Sequence, residues 1–371
     1  MSTSTSDVHR RAIIVDGHCD TPYRLHRHDV HIDEHDTEAQ FDLRSFLESG
    51  ITASFFVSYV PPHYVGHGAA DFAYKLIDVI HAEVLRDARM TFVSDAAGIR
   101  AAKRDGKAGV MIGIEGGHAI EDSLDILRDF YARGARYLTL THVNTNNWCD
   151  SSGDAPRHGG LTDFGREVVR TMNDLGMIVD VSHISDAAFY AVIETTRTPV
   201  IATHSSCRAL CRHPRNMTDD MLRTLAKNDG VCMINFFSAF ISDDVAQVLM
   251  NSTKRAKVGN GTGGGTEELP DDRIDWDEYL KWFTSLGCPR ATLDQVVDHI
   301  AHAVEVAGID HVGIGSDFDG VPALPDGLQS AATLPALTER MLQRGFGETD
   351  VEKVLGGNFL RAFEAIEAAK R

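Results

Sequence analysis

The chain has 371 residues, 43% of them hydrophobic, which is enough for a sizeable buried core and too much for a disordered protein. Its formal net charge of -18 comes from 54 acidic and 36 basic residues. A surface of this charge repels phosphate groups. We therefore expect neither nucleic acid nor an anionic membrane surface as a partner.

The cysteines and the first residues of the chain bear on its compartment. Six cysteines occur singly, without the paired spacing of a zinc knuckle or a redox motif, so we expect free thiols. The first residues, MSTSTSDVHRR, contain no apolar core of a signal peptide, and the apolar run 12–15 is too short to cross a membrane. These features predict a cytoplasmic protein.

Eight short apolar segments are candidate β-strands. Each is close to continuously apolar, as parallel strands buried on both faces require. The segments are 12–20, 51–59, 109–116, 136–142, 177–183, 199–206, 230–236 and 311–317. Eight strands connected by helices predict a (β/α)8 TIM barrel as a single α/β domain over residues 1–371.

Helical patterns separate many of these strands, and several begin next to an Asp or Thr cap. The clearest are 71–86, 162–175, 219–227, 293–307 and 331–344. The segment at about 238–287 is longer than an ordinary connection and is interpreted as an insertion after strand seven. Its glycine-rich stretch 259–265 lacks the Lys and Ser/Thr of a phosphate-binding loop, which favours a mobile loop.

Nearly every predicted strand ends in His, Asp or Glu, and strand ends of a barrel converge on one face. His18 and Asp20 lie two apart on strand one, so they point the same way and can chelate one metal ion. For that pair alone, a surface or capping role is equally compatible. Glu115 follows an apolar run, where a position between two cations would remove the cost of burying its charge. A hydrogen-bonded buried acid is the alternative.

Two histidines end adjacent predicted strands. His183 and His204 close strands five and six, and their neutral imidazoles would complete a second metal site. A single buried histidine is usually structural, but two beside the HxD pair and Glu115 favour metal binding. His142 and Asp317, which end strands four and eight, are candidates for proton transfer or for supporting the ligands. A turn-capping role is the alternative for Asp317.

Eight stretches between Val15 and Phe363 carry a resemblance to one family. They are VDGHCDTP, GIEGG, LTLTH, DVSH, THSS, RNMTDD, GIGSDFDG and LGGNFLRAF, in this order. The chain resembles the membrane dipeptidase (renal dipeptidase) family, a branch of the amidohydrolase superfamily. Unlike the membrane-bound members, it shows no signal peptide and no apolar C-terminal tail, so a membrane anchor is not expected.

The resemblance implies two zinc ions per subunit. His18 and Asp20 would bind the first ion, His183 and His204 the second, and Glu115 would bridge them. All five residues are intact in this chain.

The resemblance also implies functions for residues beyond the metal ligands. It makes His142 a substrate contact, Arg215 in PRNMTDD the group that binds the substrate carboxylate, and Asp317 the acid/base. It implies a homodimer as well. Since metal activates the water, no Ser or Cys nucleophile is needed. The expected activity is hydrolysis of dipeptides, with Glu115, His142 and Asp317 as catalytic residues. The sequence leaves open whether the C-terminal residue is L, D or either.

Three other functions are weighed against this one. A binuclear amidohydrolase for N-acyl amino acids, other small amides or lactones would keep the same metals, although Arg215 favours a substrate that ends in a carboxylate. A barrel that only binds ligands is disfavoured because all five ligand positions are filled. A deaminase of the same superfamily would normally have HxH on strand one. The HxD pair and Glu115 instead favour the two-metal peptidase.

Overall fold

The computed structural model describes residues 5–34, 39–259 and 276–371. In these residues the strands are β1 (Val15–Cys19), β2 (Ala53–Tyr59), β3 (Met90–Phe92), β4 (Ala108–Glu115), β5 (Ala135–Thr139), β6 (Ile178–Asp180), β7 (Ile201–Ala202), β8 (Val231–Ile234) and β9 (Val312–Ile314). All pairings between them are parallel. Because β2 pairs with both β1 and β4, and β1 pairs with β9, eight strands close into a barrel and the TIM-barrel prediction is confirmed.

The remaining strand, β3, lies outside the closed barrel. It pairs with residues 108–110 at the start of β4, whereas β5 pairs with β4 from Ile112 onward. Three residues are too few for a periodic pattern, and the sequence prediction did not include this strand.

Several barrel strands are shorter than predicted at their carboxyl ends. The segment predicted at 177–183 is a strand only over Ile178–Asp180, and the segment predicted at 199–206 only over Ile201–Ala202. Beyond these points the chain turns. His183 has a φ of 69°, and the backbone N–H of His204 donates to the Ser182 hydroxyl instead of to a neighbouring strand. The two histidines therefore lie in turns rather than on strand ends.

Helices surround the barrel within the described residues. They are α1 (Thr5–Arg11), α2 (Thr21–His28), α3 (Leu43–Glu48), α4 (Ala69–Val84), α5 (Ala96–Asp105), α6 (Leu124–Ala132), α7 (Asp163–Leu175), α8 (Asp186–Thr195), α9 (Asp219–Lys227), α10 (Ser238–Ile241), α11 (Asp243–Gly259), α12 (Trp276–Ser285), α13 (Leu293–Ala307), α14 (Pro335–Gln343), α15 (Glu348–Glu352) and α16 (Asn358–Ala368).

Threonine caps begin three of the predicted helices. The hydroxyls of Thr162, Thr218 and Thr292 each accept the backbone N–H three residues later, at the starts of α7, α9 and α13. The helix predicted at 331–344 is corrected. It is a 3-10 turn at Ala331–Thr333 followed by α14, because Pro335 has no backbone N–H with which to continue the preceding turn.

The last helix, α16, packs on the amino-terminal side of the barrel. The side-chain amide of Asn358 donates to the carbonyls of Ile309 and Val312, at the start of β9. Farther along, Phe359 lies 5.7 Å from the Phe55 ring and belongs to the same buried cluster as alternate residues of β2. Apolar packing therefore fills this end, and the carboxyl end is available for chemistry.

The predicted insertion follows β8 and contains α10, α11 and α12. Most of the glycine-rich stretch predicted as a mobile loop, residues 260–265, lies outside the described residues. The extent of the insertion therefore stays a prediction.

All six cysteines are free thiols, as the sequence predicted. In the described parts of the chain, every helix is too short or too polar to cross a membrane.

Candidate metal centre

The five predicted metal ligands converge at the carboxyl end of the barrel. His18 lies in β1 and Asp20 follows it, Glu115 is the last residue of β4, and His183 and His204 lie in the turns after β6 and β7. None of the five exposes more than 8% of its surface. Buried ionisable groups at this density require partners or a bound cation.

Glu115 stands between the two groups of ligands. Its Oε1 lies 3.0 Å from His183 Nε2 and 3.3 Å from His204 Nε2. Its other oxygen, Oε2, lies 3.5 Å from His18 Nε2. The two oxygens therefore face different ligand pairs.

His18 is also surrounded by two other carboxylates. Its Nε2 lies 3.3 Å from Asp20 Oδ2 and 4.0 Å from Asp317 Oδ1. The donor atoms of these three residues all lie within 4.8 Å of one another. Asp317, which the sequence assigned to proton transfer, is thus close enough to join the donor set at this pair.

The donor set is suited to a divalent cation. Among the described residues, His18 Nε2 and Asp20 Oδ1 are buried and have no hydrogen-bond partner. The Nε2 atoms of His183 and His204 lie only 2.9 Å apart, both directed at the same oxygen of Glu115. Imidazole nitrogens and carboxylate oxygens are the ligands that zinc and its neighbours in the first transition row prefer.

The protonation states agree with this donor set. Burial lowers the pKa values of His183 and His204 well below the usual range, so both imidazoles are neutral and have a lone pair for a metal. Burial opposes ionisation of Glu115, but the charges of His18 and His142 and the hydrogen bonds to His18 and His183 together outweigh burial and hold the Glu115 pKa well below its usual value. Burial also lowers the pKa of His18, but Glu115 and Asp20 outweigh it and hold that pKa well above its usual value, so a metal ion at His18 Nε2 would take the place of a proton. Burial raises the pKa of Asp20 to about 7, a cost that a bound cation would remove.

Two hydroxyl groups contact the far nitrogens of the histidines. The Tyr137 hydroxyl lies 2.9 Å from His18 Nδ1, and the Thr203 hydroxyl lies 2.8 Å from His204 Nδ1. Such partners orient metal-binding imidazoles. The sequence analysis missed both residues. Tyr137 lies two residues before the end of β5. The alternation of side chains along a strand points it to the inside of the barrel, and this was the signal available in the sequence.

Asp317 is held by a residue that the sequence analysis also missed. The Asn235 side chain donates through Nδ2 to Asp317 Oδ2 at 2.7 Å, while its Oδ1 accepts the Phe237 N–H at 2.5 Å. Asn235 directly follows β8, which corresponds to the seventh of the eight predicted strands. A search for polar residues at the end of that strand would have found it. Asp317 has a φ of 65° and donates its N–H to the His18 carbonyl.

His142 lies beside the second histidine pair. Its ring centroid is 4.6 Å from that of His183 and 4.8 Å from that of Tyr59, which packs against it edge to face. A donor atom of His142 lies within 4.8 Å of those of Glu115 and His183. Burial lowers the His142 pKa to about 4, so the ring is neutral at physiological pH.

Arg215 is a buried cation on the same side of the site. Its guanidinium donates to the His204 carbonyl at 3.1 Å and lies 5.2 Å above the Phe240 ring. Its Nε is buried and has no partner within the described residues. Burial lowers the Arg215 pKa to about 10, which leaves it charged at neutral pH. The structure therefore brings every residue of the predicted site together.

A TIM barrel whose carboxyl end carries His, Asp and Glu around a central carboxylate defines a metal-dependent barrel enzyme. The model of the membrane dipeptidase family, peptidase family M19, matches residues 3–371. Dipeptidase 3 of Rattus norvegicus is 32% identical over 368 residues, which cover 96% of this chain and 66% of the rat protein. The chain belongs to the membrane dipeptidase family.

Solved structures agree with this membership. A probable dipeptidase, PvdM of Pseudomonas aeruginosa, superposes with a TM-score of 0.84 at 26% identity over 98% of both chains. A metallopeptidase of Rhodobacter sphaeroides, liganded with a phosphinate mimic of the dipeptide L-Ala-D-Ala, gives 0.74 at 25% identity over 95% of this chain and 99% of that chain. The prediction of a metallo-dipeptidase is confirmed, and the N-acyl amino acid or lactone alternative is not favoured.

Proposed function

We propose that this chain hydrolyses dipeptides with two zinc ions bridged by Glu115. The observation that carries the proposal is the division of the Glu115 carboxylate, with Oε2 toward His18 and Oε1 toward His183 and His204. His18 and Asp20 would hold one ion, and His183 and His204 the other. Bound zinc would lower the pKa of a water molecule and polarise the scissile carbonyl.

Arg215 would bind the carboxylate of the substrate. It is charged, buried and held by the His204 carbonyl, so it presents a fixed cation next to the second pair. A guanidinium engages a carboxylate through two parallel hydrogen bonds, which lysine cannot reproduce. This contact selects short peptides whose carboxylate lies close to the scissile bond.

Asp317 would carry the proton from the attacking water to the departing amine. Asn235 occupies its Oδ2, which leaves Oδ1 facing His18 and the centre of the site. Burial raises the Asp317 pKa above its usual value, which makes the carboxylate a better acceptor for the proton of the attacking water.

His142 would stabilise the carbonyl oxygen as negative charge develops on it. Its ring is neutral and packed between Tyr59 and His183, so an N–H group is held in position before the reaction. A hydrogen-bond donor fixed in this way stabilises the transition state by roughly 3–4 kcal/mol in a water-excluded site.

A D-residue at the second position is included in the proposal. Support comes from the Rhodobacter sphaeroides relative, whose bound ligand mimics L-Ala-D-Ala. The test is hydrolysis of paired L,L and L,D dipeptides by zinc-loaded protein, with N-acetyl amino acids in parallel and zinc content measured by atomic spectroscopy. We expect about two zinc ions per chain and turnover of dipeptides. Full zinc occupancy without dipeptide turnover would refute the substrate assignment.

The carboxylate contact has its own test. Arg215→Lys should raise KM for a free dipeptide by about 10- to 100-fold, since one good charged hydrogen bond is worth about 1.5–3 kcal/mol. For the C-terminally amidated dipeptide the change should be small. Arg212→Lys is the matched control, because Arg212 lies in the same loop but has an exposed side chain that pairs with Asp243. Equal losses for the two substrates would exclude carboxylate binding by Arg215.

We also propose a cytoplasmic location, for which the six free thiols are the support, since disulfides are rare in that compartment. Cell fractionation tests it. The homodimer implied by the resemblance stays a prediction, and analytical ultracentrifugation measures it directly.

A further inference from the structure

A fully buried carboxylate lies behind the second histidine pair and has no function in the site described above. It belongs to Asp180, the last residue of β6. Its Oδ1 accepts the backbone N–H groups of Ser182 and Thr203, each at 3.0 Å. Its Oδ2 accepts the hydroxyls of Thr139 at 2.5 Å and Thr203 at 2.8 Å.

These contacts determine the direction of the next hydrogen bond. A threonine hydroxyl has one proton, and that of Thr203 is donated to Asp180. Toward His204 Nδ1, 2.8 Å away, the same oxygen can only accept. The proton of His204 therefore lies on Nδ1, and the lone pair of Nε2 points toward Glu115 and His183.

Close packing keeps Thr203 in place. A Cβ atom added to Gly17 would lie 2.4 Å from the Thr203 carbonyl oxygen, and one added to Gly315 only 1.8 Å from it. The backbone of β1 and the segment after β9 thus close around this carbonyl. Ser182 meanwhile accepts the His204 N–H at 3.0 Å. The series of hydrogen bonds from Asp180 through the Thr203 hydroxyl to His204 is therefore fixed at both ends, by the backbone N–H groups that Asp180 accepts and by the Ser182 contact of His204.

We propose that Asp180 and Thr203 are positioning residues that hold His204 in the tautomer able to bind metal. The inference rests on the proposed function only in that His204 holds an ion. A purely structural buried acid would be satisfied by its donors whichever nitrogen of His204 carried the proton. The proposal requires in addition that the direction of the hydroxyl matters.

Asp180→Asn reverses that direction with almost no change in shape. The two backbone N–H groups retain the carbonyl oxygen of the asparagine as acceptor, so its NH2 group faces the two threonine hydroxyls. Thr203 then accepts from the amide and donates its own proton to His204 Nδ1. His204 is driven to carry its proton on Nε2, where it blocks metal coordination.

The experiment measures zinc affinity of the full chain by competition with a coloured chelator, alongside the visible spectrum of the cobalt-loaded protein. Asp180→Asn should weaken one zinc site by about 10- to 100-fold, the usual range for partners of metal ligands. Thr203→Val removes the hydroxyl and should cost about 10-fold, whereas Thr203→Ser restores it and should stay within about three-fold of wild type. Thr139→Val is the matched control. It removes a hydroxyl from the same carboxylate without touching His204 and should leave the affinity and spectrum unchanged.

The outcomes separate this inference from the proposed function. Wild-type protein that binds no zinc would refute the proposed function. Wild-type protein that binds zinc, with Asp180→Asn equally tight and spectrally identical, would overturn the positioning inference alone. Circular dichroism verifies folding. If Asp180→Asn does not fold, the contrast between Thr203→Val and Thr203→Ser decides, because equal affinity of these two variants also overturns it.

Discussion

The two ligand pairs on either side of Glu115 are built differently. His18 lies in β1 and Asp20 follows that strand directly before α2, so the two residues are only two apart in the chain, and His18 Nε2 lies 3.3 Å from Asp20 Oδ2. His183 and His204 come from separate turns after strands of three and two residues, and their Nε2 atoms nevertheless lie 2.9 Å apart. Local geometry places the first pair, whereas the second depends on the packing of two neighbouring β/α units.

The difference has a cost in backbone strain. His183 adopts a φ of 69°, a left-handed conformation that side chains other than glycine rarely take. Such residues persist only where surrounding contacts determine them, and they cluster at functional sites. We therefore expect the second pair to be sensitive to changes in residues of its two turns that do not touch metal.

Glu115→Gln removes the one group that both pairs share and should have the largest effect. Glutamine keeps the shape but not the charge, so the affinity for both ions should fall and dipeptide hydrolysis should drop at least roughly 1,000-fold, or about 4 kcal/mol. Zinc content and kcat/KM measure this. Glu83→Gln, a buried acid paired with His31 far from the site, is the control and should retain activity. Retention of both ions in Glu115→Gln would contradict a bridging position.

Asp20→Asn and His204→Gln separate the pairs. Each should lower the zinc content from about two ions to about one and reduce hydrolysis roughly 100-fold, since one ion would still polarise the substrate. Adding the second change should remove the remaining ion. If either single variant loses both ions, the two pairs do not bind metal independently, and the contrast between a locally placed first pair and a packing-dependent second pair is wrong.

Gly113→Ala tests the support of the first pair from within the barrel. A Cβ atom at Gly113 would lie 2.1 Å from the Tyr137 ring, so the ring that contacts His18 must shift. Overpacking of this kind costs about 1–3 kcal/mol of unfolding free energy, which urea denaturation measures. Gly347→Ala is the control, since its φ of -68° is ordinary and the nearest atom to its Cβ is 3.5 Å away. Equal stabilities would show that the ring adjusts without strain.

Tyr137→Phe should have the smallest effect. It removes the hydroxyl at His18 Nδ1 and should weaken the ion of the first pair by about 10-fold, with no change at the second. Chelator competition measures both sites. Thr203→Val should instead weaken the ion of the second pair and leave the first unchanged. If both variants weakened the same ion, the two hydroxyl groups would not support separate ligand pairs.

Much of the site was predictable because a barrel brings the ends of its strands to one face. The motifs at His18, Asp20 and Glu115 follow apolar runs, and that pattern alone predicts a common location. The metallo-dipeptidase prediction came from the resemblance of eight motifs to the membrane dipeptidase family. Strand ends were overestimated at β6 and β7, since a continuous apolar or small-residue run does not show where strand pairing stops.

The residues that orient the ligands were not predictable in the same way. Tyr137 contacts His18 from 119 residues away along the chain, and Asn235 contacts Asp317 across 82 residues. A short sequence pattern can place such a residue on an inward face or at a strand end, but it does not show which residue the side chain contacts, because that depends on how separate strands meet. The same applies to the hydrogen-bond direction at Thr203, which is fixed by Asp180 from a neighbouring strand.

The sequence by itself determined the periodicity of the barrel, the order of its strands and the types of residue at their ends. The tertiary structure decided which oxygen of Glu115 faces which pair, how closely His183 approaches His204, and which nitrogen of each imidazole is free. The physical reason is range. Strand alternation and residue chemistry act within a few residues, whereas the geometry of a metal centre is set by contacts between strands that are distant in the chain.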